Sequence, residues 1–580
     1  MKLPKPSFAP LARLAVSPLT LRLPGSRRSS AKADARPMSE KVRNKSRFTI
    51  AMTAFCCIYA VIGGRLVWWG VAPADDGGYR AFGQVVADRP DLIDRNGEVL
   101  ATDIKTASLF AEPNRIVDAD EATELLTGVL PDLNPKQLRT KLTSGAKFAW
   151  LQRELTPKQQ QQIFELGIPG IGFRTEKRRF YPGGNTASHI IGAVNVDNQG
   201  IAGMEKYIDD TGLRDIQNLG LAGGEMAPVK LSIDLRVQHI MRDELAAAMK
   251  RYRAIAAGGV IIDVDTGEIL AMASMPDYDP NQPAEALKKE NLNRMSAGVF
   301  EMGSTFKSFT TAMALDSGKV TLNTVFPTNP FRVGGFTIKE FHSKHRPLSV
   351  PEIFQYSSNV GSAHEADLVG IEGHQAFLTR MGLLSRLKTE LPEVATPTQP
   401  RVWKKINSMT ASYGHGVATT PLQTAVAAVA LMNGGYLIPP TFLTRTKEEA
   451  DKLKTQVVSK RVSDEMRYLY DLNGERGSGR SAQVSGYRVG GKTGTAEKVV
   501  NGRYSGNKKF NAYLASFPID APRYVVLVVV DDPQVEEGKS NAQAAANAAP
   551  TAGAIIRRAA ALLKVKPVFK EQGNSLLVSY

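Results

Sequence analysis

Residues Phe48 to Gly64 (FTIAMTAFCCIYAVIGG) carry no charged side chain, and Leu66 to Ala72 (LVWWGVA) prolong the apolar run beyond Arg65. That length fits one membrane-spanning helix, which needs ~20 residues, with Arg65 snorkelling toward headgroups beside the interfacial pair Trp68-Trp69. Residues 1–47 hold twelve Lys/Arg against only Asp34 and Glu40, so this tail supplies +10 of the net +16. By the positive-inside bias the N-terminus is cytoplasmic and the remaining ~500 residues fold outside. The basic charge therefore reads as a topology signal, not as a nucleic-acid surface. A cleaved signal peptide fits less well, because the n-region is too long and the apolar run exceeds the usual ~7–15 residues. Both cysteines, Cys56 and Cys57, fall inside the run, so the outer part has neither a disulfide nor a thiolate metal site.

At 580 residues and 43% hydrophobic content the chain is globular and too long for one ordinary domain. The expected order is a basic cytoplasmic tail (1–47), a transmembrane anchor (48–72), a mixed, β-rich pedestal (73–225), a catalytic domain (226–565) and a short tail (566–580). In the pedestal, Asn96-Gly97 between short apolar runs predicts a hairpin, since both positions tolerate positive φ. Pro182-Gly183-Gly184 marks another turn. From Val229 the texture changes. Leu235 to Met249 has helical periodicity, and Gly259 to Ser274 reads as two strands around Asp265-Thr266-Gly267-Glu268. A helix is predicted over about Ser304 to Leu315, with Phe306, Phe309, Thr310 and Met313 on an apolar stripe. Gly490 to Val500 and Asn511 to Phe517 read as strands flanking an Asn501-Gly502 turn, and Tyr524 to Val530 (YVVLVVV) as a buried central strand. A final helix is expected beyond Pro550. The fold class is α+β and multi-domain, with helices on the faces of an antiparallel sheet.

Three short motifs carry the chemistry: Ser304-Thr305-Phe306-Lys307, Ser357-Ser358-Asn359 and Lys492-Thr493-Gly494-Thr495. Ser-x-x-Lys alone is weak, for it also begins at Ser29, Ser144, Ser385 and Ser505, whereas Lys-Thr-Gly occurs once. Ser304 alone follows a glycine and opens a well-patterned helix. At i and i+3, Ser304 and Lys307 share a helix face, so the amine can reach the hydroxyl and activate it. Lys307 acts as a base only when neutral. That requires a pKa drop of about three units, on the order of 4 kcal/mol, toward which burial and the second cation Lys492 both push. Ser357 is placed to bridge protons between Lys307 and a leaving group, and Asn359 to offer its amide to a substrate backbone. Gly494 lets an extended peptide approach the strand edge, while Thr493 and Thr495 with Lys492 bind a terminal carboxylate. Backbone N–H groups of Ser304 and Thr495 form the oxyanion hole. His342 and His345 lack a third metal ligand and read as solvated, and Gly414-His415-Gly416 reads as a backbone turn. No metal, nucleotide or other cofactor is expected.

This ordered triple is that of penicillin-binding proteins and serine β-lactamases, and the chain resembles a class B high-molecular-mass penicillin-binding protein over roughly residues 85 to 565. Arg89 with Asp94-Arg95-Asn96-Gly97, Arg179-Phe180-Tyr181-Pro182, His189-Ile190-Ile191-Gly192 and Gly203-Met204-Glu205 look like that family's pedestal motifs. Asn293-Arg294, Thr420-Pro421-Leu422-Gln423 and Asn433-Gly434-Gly435 fit its catalytic part. Pro90 and Met302 depart from it, standing where glycine and proline are usual. The resemblance implies a non-catalytic, dimerisation-type pedestal and a transpeptidase domain. Its donor stem peptide ends in D-Ala-D-Ala, Ser304 expels the last D-Ala, and β-lactams are covalent inhibitors. Lys492 to Lys498 (KTGTAEK) and the single-span layout look more like the septal, division-specific member than the elongation one. That implies a polytopic septal glycosyltransferase and other division proteins as partners, and a single-pass site in the bacterial inner membrane at the division plane, with the bulk periplasmic. The rival readings are an elongation-type transpeptidase, a D,D-carboxypeptidase or β-lactamase, and a penicillin-recognising sensor or scaffold. A β-lactamase needs a residue that activates water, and a sensor needs further spans and an output domain. Neither is evident.

Overall fold

The computed structural model describes residues 52–63, 89–212, 227–500 and 502–569. The chain divides into two compact units, Met1–Gln84 and Val85–Tyr580. In the first, residues 52–63 are helical and exposed. Among the described residues no helix is long and apolar enough to cross a membrane. The basic tail and the rest of the expected anchor lie outside the described residues.

The second unit begins as a mixed sheet around the long strand Val99–Ala111. Strand Ile171–Phe180 runs antiparallel along it, from Thr102 opposite Phe180 to Ala111 opposite Ile171, and Ala149–Leu155 covers the other side of its far half. Three short helices pack over that end, and each start is written in the sequence: Asp118 caps Ala119–Val129, Asn134 precedes Pro135 in the next, and Thr156 forms a capping box with Gln159. Their leucines, with Leu109 and Ile163, make a small separate core.

The predicted hairpin forms, but as a wider loop. Asp94 N–H donates to Glu98 O at 2.8 Å, and only Gly97 takes positive φ. The Asp94 carboxylate shapes it, accepting from Asn96 N at 2.6 Å and Glu98 N at 2.9 Å, so a side chain substitutes for the second left-handed residue. The same carboxylate accepts from Leu235 N at 3.0 Å. Strand Leu92–Ile93 pairs in parallel with Val229–Lys230, stitching the pedestal to the chain beyond it.

Beneath the hairpin, Arg89, Arg179 and Glu205 have fully buried side chains. Glu205 accepts from Arg89 Nε at 2.8 Å and Arg179 Nε at 2.6 Å, while Asp209 and Asp103 take the outer guanidinium nitrogens at 2.8 and 3.2 Å. Arg179 also donates to the Pro90 carbonyl at 2.8 Å, so the unusual proline keeps an acceptor in place. This base shares one core with the catalytic region, in which Leu92, Tyr181, Ile190 and Met204 pack together with Val260 and Leu527.

The catalytic region is built on five antiparallel strands, in the order Gly490–Val500, Arg503–Phe517, Tyr524–Asp531, Ala256–Asp263, Ile269–Met275. Tyr524–Asp531 is central and wholly buried, and its alternation is still resolved in space. Val526, Val528 and Val530 join the core under helices Leu235–Tyr252 and Ala548–Ala559, while Val525, Leu527 and Val529 face the larger core opposite. Strand Arg503–Phe517 starts eight residues earlier than the sequence suggests, because its charged first half is an exposed extension of the hairpin with a bulge between Glu497 and Lys498. Val568 N–H donates to Gly486 O at 2.8 Å, so the chain stays on the body past residue 565. Residues 570–580 lie outside the described residues.

Candidate active site

Ser304 sits in a 3-10 turn, Gly303–Phe306, and the α-helix proper begins at Lys307 and runs to Asp316. The expected helix is thus split at its start, and the expected stripe is absent: Lys307 through Leu315 are all buried. The physical reason is position. This helix lies in the interior, with helices Asn359–Val369 and Lys460–Arg476 packed beside it, and Tyr470 donates to Ser308 Oγ at 2.8 Å.

Three backbones meet at the serine. A Cβ added to Gly494 would lie 2.4 Å from the Met302 carbonyl oxygen, one on Gly303 2.8 Å from the Thr495 carbonyl oxygen, and one on Gly414 2.0 Å from the Gly303 carbonyl oxygen. Gly303 and Gly414 also take positive φ. Gly494 therefore has a job that the sequence did not reveal: its missing side chain makes room for the serine-bearing turn. Gly414-His415-Gly416 is likewise part of the site wall. The Glu301 carboxylate, next to the serine turn, accepts from Gly416 N at 2.7 Å and Tyr504 Oη at 2.9 Å and pairs with His415 Nδ1 at 3.0 Å.

The structure brings Lys307, Ser357, Asn359 and Lys492 together in one hydrogen-bonded group. Lys307 Nζ donates to Ser357 O at 2.6 Å, Ser357 Oγ at 3.1 Å and Asn359 Oδ1 at 2.8 Å. Lys492 Nζ donates to the same Ser357 hydroxyl at 3.0 Å and stands 5.7 Å from the Phe354 ring centroid. Ser357 accepts from both amines because it occupies a left-handed conformation, φ 58°, at the end of helix Val350–Tyr356. Among the described residues the half-buried Ser304 hydroxyl makes no hydrogen bond. All three donors of the Lys307 ammonium face the Ser357–Asn359 segment instead, and a fully protonated ammonium has no lone pair with which to take a proton.

Both lysines are completely buried. Burial, and next the charge of Lys492, hold the Lys307 amine well below its ordinary range. Burial brings Lys492 down to about 7. A hydroxyl lodged between two amines of depressed basicity can pass a proton from one to the other.

Sequence reasoning missed several residues that hold this group. Glu340 caps the helix Asn359–Val369: its carboxylate accepts from Asn359 N at 2.9 Å, Val360 N at 3.3 Å and the Ser358 hydroxyl. Thr493 Oγ1 shares a 2.5 Å hydrogen bond with Ser478 Oγ, and Thr495 Oγ1 accepts from Ala544 N at 3.1 Å. Each threonine hydroxyl is therefore already oriented by a neighbour far away in sequence. Glu340 and Ser478 stand in polar stretches with no motif spacing, so no local signal marks them. His342 and His345 are exposed.

Residues 257–556 match the penicillin-binding protein transpeptidase domain, and residues 84–225 match the penicillin-binding protein dimerisation domain. With this fold and this site, the chain belongs to the class B penicillin-binding proteins. It is similar to a probable peptidoglycan D,D-transpeptidase FtsI of Caulobacter vibrioides, at 38% identity over 92% of this chain and 91% of that one. The peptidoglycan D,D-transpeptidase FtsI of Escherichia coli K12 is 31% identical, covering 93% of this chain and 96% of its own. A probable peptidoglycan D,D-transpeptidase PenA of Neisseria meningitidis is 34% identical over 77% and 80%. The crystal structure of a peptidoglycan synthetase from Bifidobacterium adolescentis shares the fold, with a TM-score of 0.65 at 22% identity over 83% of this chain and 97% of that one.

Proposed function

We propose that this protein is a serine-type peptidoglycan D,D-transpeptidase that cross-links stem peptides during septal wall synthesis. The observation that carries the reading is the buried chain of hydrogen bonds from Lys307 through Ser357 to Lys492, one helical turn from a serine whose hydroxyl makes no hydrogen bond among the described residues. In this reading Lys307, having lost one proton, accepts the Ser304 proton as the oxygen attacks the penultimate D-Ala carbonyl. Ser357, relayed by Lys492, returns a proton to the departing D-Ala amine. An amine of a neighbouring stem then attacks the acyl-enzyme by the reverse route.

Backbone N–H groups of Ser304 and Thr495 hold the developing oxyanion. In support, Thr495 N lies 3.1 Å from where a Gly303 Cβ would be, directly beside the serine turn. Asn359, fixed by Lys307 and the capped helix, together with Thr493, Gly494 and Thr495 lines the peptide. β-Lactams acylate the same serine as covalent inhibitors.

The finer reading adds residues 48–72 as a single inner-membrane anchor, a cytoplasmic tail 1–47, a pedestal 73–225, a transpeptidase domain 226–565 and a tail 566–580. It places a polytopic septal glycosyltransferase and other division proteins as partners. Support comes from the charge-free run, the basic flank and the KTGTAEK stretch.

Intact mass after incubation with a β-lactam tests the chemistry: one stable adduct on wild type and none on Ser304→Ala is expected, and an unmodified wild-type protein beside intact inhibitor would sink the assignment. Depletion tests the role. Filaments with blocked septa are expected, whereas rounded, swollen cells would move the reading to elongation.

A further inference from the structure

Behind Lys307 lies a second ionisable group that the acyl-transfer scheme does not use. Glu365, on helix Asn359–Val369, has no exposed surface. Among the described residues both its oxygens share a single donor, the Thr311 hydroxyl, at 3.1 and 3.4 Å. Thr311 stands one turn beyond Lys307 on the adjoining helix, so amine and carboxyl lie along one packed seam. One helical step away, the buried Ser362 hydroxyl has no partner among the described residues.

Among the described residues Lys307 feels the charges of Lys492 from the strand Gly490–Val500, Glu340 from the segment after strand Phe336–Ile338, and Glu365 from the facing helix. Glu340 is committed to three donors at a helix start, which stabilise its charge. Among the described residues Glu365 has one neutral donor, and it is fully buried, so its charged form is poorly solvated and the carboxyl rests protonated. Burial lifts it to about 8 despite the opposing pull of Lys307.

We propose that Glu365 is a positioning residue for acyl transfer at Ser304: a proton-responsive counter-charge that, once ionised, makes Lys307 the stronger base. When the Ser304 O–H bond breaks and its proton moves to Lys307, the amine becomes an ammonium. A carboxylate at Glu365 stabilises that new charge, whereas the protonated acid does not. The Glu365 proton leaves to solvent before the step and takes no part in bond making. The inference rests on the proposed proton transfer from Ser304 to Lys307. If Ser304 chemistry itself is wrong, wild type shows no acylation at any pH; if only the role of Glu365 is wrong, wild type acylates and the variants track it across the pH range.

The experiment measures the second-order rate constant for acylation by a fluorescent penicillin, using the full chain in detergent across the range around pH 8. Wild type, Glu365→Gln and Glu365→Asp are compared, the glutamine preserving size and the bond to Thr311. Titration of Lys492 is common to all three and cancels in the ratio. The wild-type to glutamine ratio is expected near one well below pH 8 and to climb about fivefold or more above it, with aspartate restoring the climb. A ratio that stays flat with pH, whether at one or at a uniform deficit, overturns the proposal, as does an aspartate variant as flat as the glutamine.

Discussion

Gly494→Ala puts a methyl group 2.4 Å from the Met302 carbonyl oxygen and 2.9 Å from both the Thr305 nitrogen and Cγ2. Real Cβ atoms essentially never come closer than 3.0 Å to such neighbours, so strand and serine turn must part by at least 3.0 − 2.4 = 0.6 Å. Neither side yields easily. The strand is paired along its length with Arg503–Phe517, and the turn runs directly into a helix buried on every face. Overpacking of this kind destabilises by ~1–3 kcal/mol. The catalytic effect is larger in proportion, because displacement near 1 Å between reacting groups removes as much as ~10²-fold in rate. Acylation by a labelled penicillin should therefore fall about 10- to 100-fold while the melting temperature drops by only a few degrees. The substitution leaves every hydrogen-bonding side chain of the site in place, so a slow variant that stays folded isolates geometry as the cause. A variant that acylates within twofold of wild type at an unchanged melting temperature would refute the claim that Gly494 exists to seat the turn.

Replacing Glu365 by Gln should stabilise the fold at neutral pH. A carboxyl raised to about 8 in the folded state contributes stability fully only below its unfolded value of 4.5 and loses it as pH rises toward 8. Urea unfolding should accordingly show the variant ahead by about 3 kcal/mol at pH 7 and by less than about 1 kcal/mol at pH 5, a gap set by 1.36 kcal/mol per unit. Glu340→Ala removes three acceptor contacts from the start of helix Asn359–Val369, so about 2 kcal/mol of stability and about tenfold in acylation rate should go together, as thermal melts and stopped-flow labelling would reveal. Glu205→Ala takes from two buried guanidinium groups the carboxylate they share, leaving only Asp209 and Asp103 at their outer nitrogens; a loss of about 3–5 kcal/mol is expected in denaturant, with the acylation rate of the surviving folded protein unchanged.

Elements whose signal is local could be read from the chain. The run Tyr524–Val530 is the central strand because an uninterrupted apolar stretch suits a strand covered on both faces. The helix starts at Asp118, Asn134 and Thr156 went unread in the sequence although their capping chemistry is equally local. The motif residues themselves were legible as a group, and four of them do converge through hydrogen bonds. What stayed hidden depends on partners distant in sequence. The tightness of the turn at Ser304 reflects the approach of Gly414 and Gly494, more than 100 residues away, and the orientation of Thr493 reflects Ser478. The buried state of the whole Lys307 helix could not be inferred from its pattern, since threonines and serines in it look like a polar face until the facing helices supply their partners.

The meeting of Gly303, Gly414 and Gly494 also bears on how such a protein can change over generations. The nearest neighbour of each glycine is a backbone carbonyl, which no substitution can make smaller. A larger residue at any of the three has to be met by a shift of main chain, which a side-chain exchange elsewhere does not supply. Room for exchange lies instead in surfaces such as the Glu301–His415–Tyr504 wall, where side chain meets side chain and one can be traded against another. The glycine contact itself is a fixed hub about which the lineage has to work.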